Sequence, residues 1–238
     1  IQGFLETLHI PYAFSGVLAS SVATEKEFAK AVYRSAGIRA PRGFDMRPGT
    51  VLTEEQVDAV IQNLGLPLFV KPCGNGSSFG ISRVNGREEL APAIELAGYA
   101  GQRVLVEECI EGTEITVPVI GNDEPEALPV VEIAYDAEFY DLKVKYEPSA
   151  LHHIIPARLS PEVYALAQDM ACRAHKALGC RGCSRSDFIV TAAGEPIILE
   201  TNTIPGMTTS SLLPDSARHA GIEFPQLCTR FVELALEA

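Results

Sequence analysis

Apolar residues recur every three or four positions in several stretches of this chain, and that spacing predicts amphipathic helices. The longest predicted helix begins at Ser160 and Pro161, a favourable N-cap and a favourable first helical residue. Capping-box patterns that start at Thr24 and Thr53 predict two shorter helices. Further helices are predicted over residues 1–9 and 87–97 and near Pro214 and Pro225.

Short apolar runs rich in β-branched residues predict strands between these helices. The predicted strands cover residues 10–14, 66–72, 81–84, 103–108, 114–120 and 128–134. Since several strands follow one another without intervening helices, we expect antiparallel sheets and an α+β fold. The elements divide into two units, residues 21–106 and 107–238, with a cleft between them. Residues 139–156 are polar and irregular, which favours a functional loop in which His152 and His153 are solvated.

A hairpin predicted around Gly194 places four polar side chains on one face. A turn centred just before Gly194 puts Asp187 opposite Glu200 and Arg185 opposite Asn202. Side chains alternate between the faces of a strand, so these four share a face. The other face is expected to take Phe188, Val190, Ile197 and Leu199.

Two carboxylates directly opposite each other repel, so this face favours a cation between Asp187 and Glu200. Carboxylate and amide oxygens are suited to a hard ion such as Mg²⁺, which usually keeps waters or phosphate oxygens as further ligands. The alternative is a solvated hairpin face whose acids bind nothing.

A glycine-rich stretch, residues 74–80, follows directly after Lys71 at the end of a predicted strand. Backbone amides of such a loop can donate to phosphate oxygens while the lysine supplies charge. The spacing is not that of a Walker A loop, and a strand follows, so we expect a flap over phosphates. The alternative is a simple hairpin turn.

The strand that ends at Glu107 and Glu108 is suited to cross between the two units. Its backbone could meet an adenine edge, and carboxylates there could accept from an amino group and from ribose hydroxyls. A strand end with solvated glutamates is an equally good interpretation of this segment.

Composition narrows the classes of partner. The chain has 238 residues, 47% of them hydrophobic, and a net charge of -12, which disfavours nucleic acid as a partner. No apolar run approaches the roughly 18 to 20 residues of a membrane-spanning helix, so we expect a cytoplasmic protein without a membrane partner. The six cysteines are scattered and are expected to be small core residues.

Several motifs occur along the chain in a fixed order, and the most specific is Asn-Thr-Ile-Pro-Gly-Met-Thr, from Asn202 to Thr208. The others are Lys71-Pro72 with the flap, Glu107, Phe139-Tyr140-Asp141 with Lys145-Tyr146, and Gly182-x-x-Arg185-x-Asp187-Phe188. Together they resemble the D-alanine:D-alanine ligases of the ATP-grasp superfamily over essentially the whole chain. The resemblance implies the ATP-grasp fold, in which two α+β subdomains with antiparallel sheets enclose a nucleotide cleft.

The resemblance also implies the nucleotide-binding residues. They are Lys26 and Lys71 at the ATP phosphates, Ser78 in the flap, Glu107 at the adenine, Glu108 and Ile110 through their backbones, Glu114 at the ribose, and Phe139. Two Mg²⁺ ions, with Mn²⁺ as an alternative, would bind Asp187, Glu200 and Asn202, the residues to which the hairpin register points independently.

Catalytic roles implied by the resemblance fall to Arg185, Lys145, Ser77, Tyr146 and Gly206. Arg185 and the Gly206 amide would stabilise a tetrahedral oxyanion, and Lys145 would reach the γ-phosphate. Ser77 would cover the phosphates. Tyr146 stands where related ligases that use D-lactate carry a histidine, which favours a dipeptide product.

The implied reaction joins two D-alanines for peptidoglycan synthesis. ATP would phosphorylate the first D-alanine, and the amine of the second would then displace phosphate. Ser211 and Leu212 would hold the carboxylate of the second amino acid at a helix N-terminus. The alternatives are an ATP- and Mg²⁺-binding module without turnover and a D-alanine:D-serine ligase.

The resemblance suggests a homodimer, and it covers little of the family's N-terminal domain. Residues 1–20 match only the end of that domain and its linker, and the chain begins at Ile1 without a methionine. We therefore expect ligation to be impaired in this chain.

Overall fold

Residues 1–74, 80–135 and 151–237 are described by the structure, a computed structural model. The helices are α1 (Gln2–Thr7), α2 (Val17–Thr24), α3 (Lys26–Ser35), α4 (Glu54–Leu64), α5 (Leu90–Ala97), α6 (Pro161–Leu178), α7 (Leu212–His219) and α8 (Phe224–Glu237). Short 3-10 turns lie at Arg87–Glu89 and Tyr99–Gly101. Each helix in these ranges is too short or too polar to cross a lipid bilayer.

The strands form two antiparallel sheets. They are β1 (Gly43–Met46), β2 (Leu68–Pro72), β3 (Ser82–Val84), β4 (Val104–Glu108), β5 (Thr113–Ile120), β6 (Glu126–Ala127), β7 (Val131–Tyr135), β8 (Leu151–Ile154), β9 (Cys183–Val190) and β10 (Pro196–Asn202). One sheet has the order β1-β4-β2-β3, and the other has the order β10-β9-β5-β7-β8 with β6 paired to β5. The predicted α+β class with antiparallel sheets is confirmed.

Two of the three predicted helix caps are present. At Thr53 the side chain accepts from the Gln56 amide, and the Gln56 side chain accepts from the Thr53 amide, which completes the capping box of α4. Ser160 accepts from the amide of Val163 at the start of α6. The prediction of a helix N-cap at Thr24 is wrong, because Thr24 is the last residue of α2 and its hydroxyl donates to the Ser20 carbonyl.

Three strand predictions need correction. Residues 10–14 form no strand, and this segment lies against Gly182 with the Ala13 carbonyl in the space that a side chain would take. Residues 151–154, predicted as loop, pair with β7 as β8. The strand β1 has no counterpart among the predicted strands and pairs with β4.

Buried apolar side chains form three cores. The first lies between the larger sheet and helices α2, α3 and α6, and Tyr33, Ile115 and Phe188 are fully buried in it. The second joins the smaller sheet to α4 and α5. The third packs α7 and α8 against the ends of β5 and β9, with Leu227, Phe231 and Leu234 turned inward as predicted. Helices α2 and α3 thus pack on the larger sheet, while the unit boundaries at residues 20 and 106 remain predictions.

Cys73, Cys180 and Cys183 are buried, as expected of core residues, whereas Cys109, Cys172 and Cys228 are only partly buried. Burial raises the pKa of Cys180 to about 11 and that of Cys183 to about 12. Both thiols are therefore protonated near neutral pH.

Two glycines in the loop after α6 have the same left-handed backbone conformation but different surroundings, so substitutions of the two can be compared directly. We expect Gly179→Ala to lower the unfolding free energy by about 1 kcal/mol, since this residue has positive φ and open space around it. Gly182→Ala should cost about 3 kcal/mol, because its added Cβ would also lie 2.1 Å from the Ala13 carbonyl oxygen. Urea unfolding measures both changes, and equal losses would contradict the packing of residues 10–14 described above.

His175 on α6 is fully buried, and its Nδ1 lies 2.8 Å from the Ser184 hydroxyl. Burial, with a smaller contribution from the charge of Lys176, lowers its pKa to about 4. An unfolded histidine titrates near 6.5, so the unfolded chain binds a proton that the folded chain does not between these two values.

We therefore expect the unfolding free energy to fall as pH drops from about 6.5 to about 4, by up to about 3 kcal/mol from this group. His175→Gln should reduce the loss in urea unfolding measured at pH 7 and pH 4.5. The matched control is His219→Gln, which removes an exposed imidazole. If both variants change the pH dependence equally, burial of His175 is not its cause.

Candidate functional site

The polar face of the β9–β10 hairpin has the predicted register. Asp187 lies opposite Glu200, and Arg185 lies opposite Asn202. Strand β9 also pairs with β5, which places Thr116 opposite Asp187. The two carboxylates are therefore held by an interior strand and its neighbour, and β9 begins and β10 ends close to the motif that follows Asn202.

A β-bulge in β10 makes this register possible. Near the turn, Ile198 pairs with Phe188, and the pairing shifts by one residue between Ile198 and Glu200. The prediction that Ile197 and Leu199 share the face of Phe188 is therefore wrong, since Ile198 takes that place in the core. The turn is centred on Ala193 rather than between Ala193 and Gly194, with the Thr191 amide donating to the Glu195 carbonyl, so the pairing near the turn is one residue out of the expected register. The bulge compensates and brings Glu200 back opposite Asp187.

Cations of the chain itself balance the opposed carboxylates. Arg185 donates to both oxygens of Asp187, from Nε at 3.0 Å and from Nη2 at 2.9 Å. The Asn202 amide nitrogen lies 3.2 Å from the same carboxylate, which also accepts from the Thr116 hydroxyl. Glu200 pairs with the Lys26 ammonium at 3.5 Å. The repulsion across the hairpin is offset in this arrangement without an added ion.

The donor set fits a hard divalent cation. The hairpin offers two carboxylates and one amide oxygen as ligands. Within the described ranges no cluster of three or more His, Cys, Asp or Glu is present. Mg²⁺ is commonly bound by one or two carboxylates plus waters and substrate phosphates, and such a set suits it better than it suits zinc. Asp187, Glu200 and Asn202 are the residues that would hold the ion.

Helix α3 connects this face to a second charged centre. Lys26 and Lys30 are one helical turn apart, and both side chains are buried. The Lys26 amide donates to the Cys73 carbonyl at 3.3 Å, which ties the start of α3 to the end of β2. Further along α3, the Tyr33 hydroxyl donates to Thr201 on β10 at 2.8 Å.

Glu107 on β4 is the anion of the second centre. Its two carboxylate oxygens pair with Lys71 on β2 and with Lys30 on α3. Burial alone would raise the pKa of Glu107, but the charges of Lys71 and Lys30 together lower it. The pKa of Lys30 is lowered, chiefly by burial. The resemblance assigned Glu107 to adenine, whereas in the structure both of its carboxylate oxygens pair with lysine ammonium groups.

Lys30 is the residue that sequence reasoning missed at this centre. Its position four residues after Lys26 puts it on the same face of a predicted helix, and that spacing was the available signal. Nothing in the sequence indicated that it would pair with a carboxylate 77 residues away.

The end of β4 contacts the rest of the chain through Glu108. The Glu108 carboxylate accepts from Arg42 Nε at 2.7 Å and from the Arg42 amide at 2.9 Å. The Glu108 amide itself donates to the Arg42 carbonyl. Ile110 and Glu114 are half-buried, the latter on β5 opposite Ile189. Their roles at adenine and ribose stay predictions.

Gly206 and Ser211 lie against each other at the start of α7. Ser211 is the N-cap of this helix, which begins at Leu212. A Cβ on Gly206 would lie 2.8 Å from the Ser211 hydroxyl oxygen, so a side chain here would displace that hydroxyl. The Ser211 hydroxyl also accepts from the Thr208 amide at 3.0 Å. The structure thus brings the predicted oxyanion and carboxylate residues together.

His153 is half-buried rather than solvated. Its Nδ1 lies 3.3 Å from a carboxylate oxygen of Asp215, in the first turn of α7. The loop prediction failed here because residues 151–154 join the sheet as β8 and thereby face α7.

Five predicted site residues lie outside the described ranges: Ser77, Ser78, Phe139, Lys145 and Tyr146. Their placement stays a prediction from the sequence.

Comparisons with known proteins cover nearly all of the chain. The family model described as "D-ala D-ala ligase C-terminus" matches residues 32–233. The D-alanine–D-alanine ligase of Syntrophobacter fumaroxidans is 48% identical over 244 residues, which cover all of this chain and 76% of the relative. That of Pelotomaculum thermopropionicum is 45% identical over 240 residues, with the same coverage.

Solved structures match the fold closely. The D-alanine–D-alanine ligase from Bacillus anthracis complexed with ATP superposes with a TM-score of 0.84 at 31% identity, covering 99% of this chain and 74% of that one. The VanG D-Ala:D-Ser ligase from Enterococcus faecalis gives a TM-score of 0.87 at 35% identity, covering 98% of this chain and 68% of that one.

Proposed function

This chain belongs to the D-alanine–D-alanine ligase family, and we propose that each residue of its cleft has a distinct role in the ligation of two D-alanines. The chain is an ATP-dependent ligase with the ATP-grasp fold. The observation that carries the proposal is the face on which Asp187, Glu200 and Asn202 meet Lys26 and Arg185.

The phosphate end of the cleft lies between the two lysine positions. Lys26 and Lys71 would bind the ATP phosphates. Each ammonium group pairs with a carboxylate, and a bound phosphate can take the place of that carboxylate as the partner of the lysine. Ser77 and Ser78 would cover the phosphates from the flap, and Lys145 would reach the γ-phosphate. The adenosine would lie along Glu107, Glu108, Ile110 and Glu114, with Phe139 against it.

The family uses a divalent metal with ATP. We propose two Mg²⁺ ions, replaceable by Mn²⁺, on Asp187, Glu200 and Asn202. When bound, such ions neutralise charge on the transferring phosphoryl group. The three side chains would orient the ions. The Thr116 hydroxyl fixes the Asp187 carboxylate by donating to it, and the bulge places Glu200 opposite Asp187.

Ligation itself would follow in two steps. The γ-phosphoryl group passes to the carboxylate of one D-alanine, and the amine of the second attacks the resulting acyl phosphate and releases phosphate. Arg185 and the Gly206 amide would donate to the tetrahedral oxyanion. Ser211 and Leu212 would hold the carboxylate of the second D-alanine at the N-terminus of α7, with Tyr146 excluding other acceptors.

The proposal also covers partners. The net charge of -12 supports a protein that does not bind nucleic acid. The cytoplasmic location without a membrane partner, expected from the composition, and the homodimer, suggested by the family resemblance, stay parts of the proposal.

The first test is phosphate release from Mg-ATP as a function of D-alanine concentration, with the product weighed by mass spectrometry. We expect D-alanine-dependent release at the low rate of impaired ligation, together with the mass of D-alanyl-D-alanine. A mixed product when D-serine is supplied would indicate the specificity of the VanG enzyme instead. Mg-ATP binding without any D-alanine-dependent release would contradict ligation and leave a nucleotide-binding module.

The metal site has a separate test. We expect the double variant Asp187→Asn, Glu200→Gln to weaken Mg²⁺-dependent binding of the non-hydrolysable ATP analogue AMP-PNP by about 100-fold or more, since both carboxylate ligands are lost. Titration calorimetry with and without Mg²⁺ measures this change. The matched control is Glu195→Gln, which removes a carboxylate from the turn of the same hairpin. Unchanged affinity in the double variant would refute the metal site.

A further inference from the structure

Lys30 is a buried charge to which the proposed mechanism gives no role. Its side chain is 1% exposed, and its ammonium group pairs with one oxygen of Glu107. The Pro41 carbonyl lies 3.4 Å from the same nitrogen. Burying an ammonium group is unfavourable unless a partner compensates it, so Glu107 is needed to keep Lys30 in place.

The centre holds two lysines and one carboxylate. Lys71 takes the other oxygen of Glu107 and is somewhat more exposed, at 11% for the side chain. Under the proposed function Lys71 leaves Glu107 for the ATP phosphates. Glu107 would then be a buried carboxylate without a counterion, a strongly unfavourable state, if Lys30 were not on its second oxygen.

Glu107 itself cannot follow Lys71 toward the phosphates. Strand β1 pairs with β4 so that Gly43 lies opposite Glu107, and a Cβ on Gly43 would be 2.8 Å from the Glu107 Cβ. The backbone of Glu107 is also paired with Phe69 on β2. Its position is therefore fixed from both sides by neighbouring strands.

We propose that Lys30 is a positioning residue, which retains and neutralises Glu107 so that Lys71 is released to the nucleotide phosphates. This inference rests on the proposed function, because it takes Lys71 as a phosphate ligand. Without Lys30, Lys71 is the one cation left on Glu107 in the part of the chain that the structure describes, and nucleotide phosphates must compete with a buried ion pair.

The test compares a nucleotide with its nucleoside. The ratio of the adenosine dissociation constant to that of Mg-AMP-PNP, measured by competition with a fluorescent ATP analogue, isolates the contribution of the phosphates. We expect Lys30→Met to lower this ratio about tenfold or more, since one charge-assisted contact to the phosphates is weakened. Lys176→Met, which removes an exposed lysine of α6, should leave the ratio unchanged.

A second variant covers the case in which Lys30→Met does not fold. Lys30→Met with Glu107→Gln removes both charges of the pair, so Lys71 has no carboxylate to retain it. We expect the ratio to return to within about threefold of the wild-type value, which a merely structural role of Lys30 would not produce.

The outcomes separate the two proposals. A wild-type ratio near one would overturn the proposed nucleotide role of Lys71 and this inference with it. A large wild-type ratio that Lys30→Met leaves unchanged, or that stays tenfold low in the double variant, would overturn the inference alone.

Discussion

The direct opposition of Asp187 and Glu200 across two hydrogen-bonded strands is the constraint on which the cleft depends. Like charges at such a position destabilise a strand pair, so the pair persists only with cations close by. In this structure the cations are Arg185 and Lys26, which come from the neighbouring position of β9 and from the start of α3. Under the proposed function these are also the groups that act on the substrate. The same side chains therefore neutralise the hairpin before the ligand arrives and meet the ligand afterwards.

Helix α3 extends this charge balance to the smaller sheet. One turn beyond Lys26 it presents Lys30 to Glu107, and Glu107 in turn holds Lys71. The helix is itself fixed to β10 through Tyr33 and Thr201, whose hydroxyl continues to Ser186 on β9. A single helix face thus links the β9–β10 hairpin to strand β2, which carries Lys71. Movement of α3 would disturb both centres at once, which ties the stability of the core under α3 to the geometry of the site.

Sequence reasoning predicted the parts of the site that rest on local periodicity. The turn assumed near Gly194 placed Asp187 opposite Glu200, and this register holds because the bulge offsets the shift of the turn. Ser211 was identified through the family resemblance. Sequence reasoning could not predict the bulge, since a one-residue shift within β10 has no composition of its own. Helix α2 was missed because its alanines and serines show little contrast between faces. Lys30 was missed because the pairing of buried charges depends on which distant strand the helix packs against, and no local pattern carries that information.

Under the proposed function, the hairpin carboxylates exchange the cations of the chain for a metal ion when nucleotide binds. A crystal structure of the chain with Mg²⁺ and AMP-PNP tests it most directly. We expect a cation about 2.1 Å from oxygens of Asp187 and Glu200, with the Lys26 ammonium moved from Glu200 to a phosphate oxygen. Nucleotide bound elsewhere, or bound while Arg185 and Lys26 keep their carboxylate partners and no cation lies on the hairpin, would contradict it.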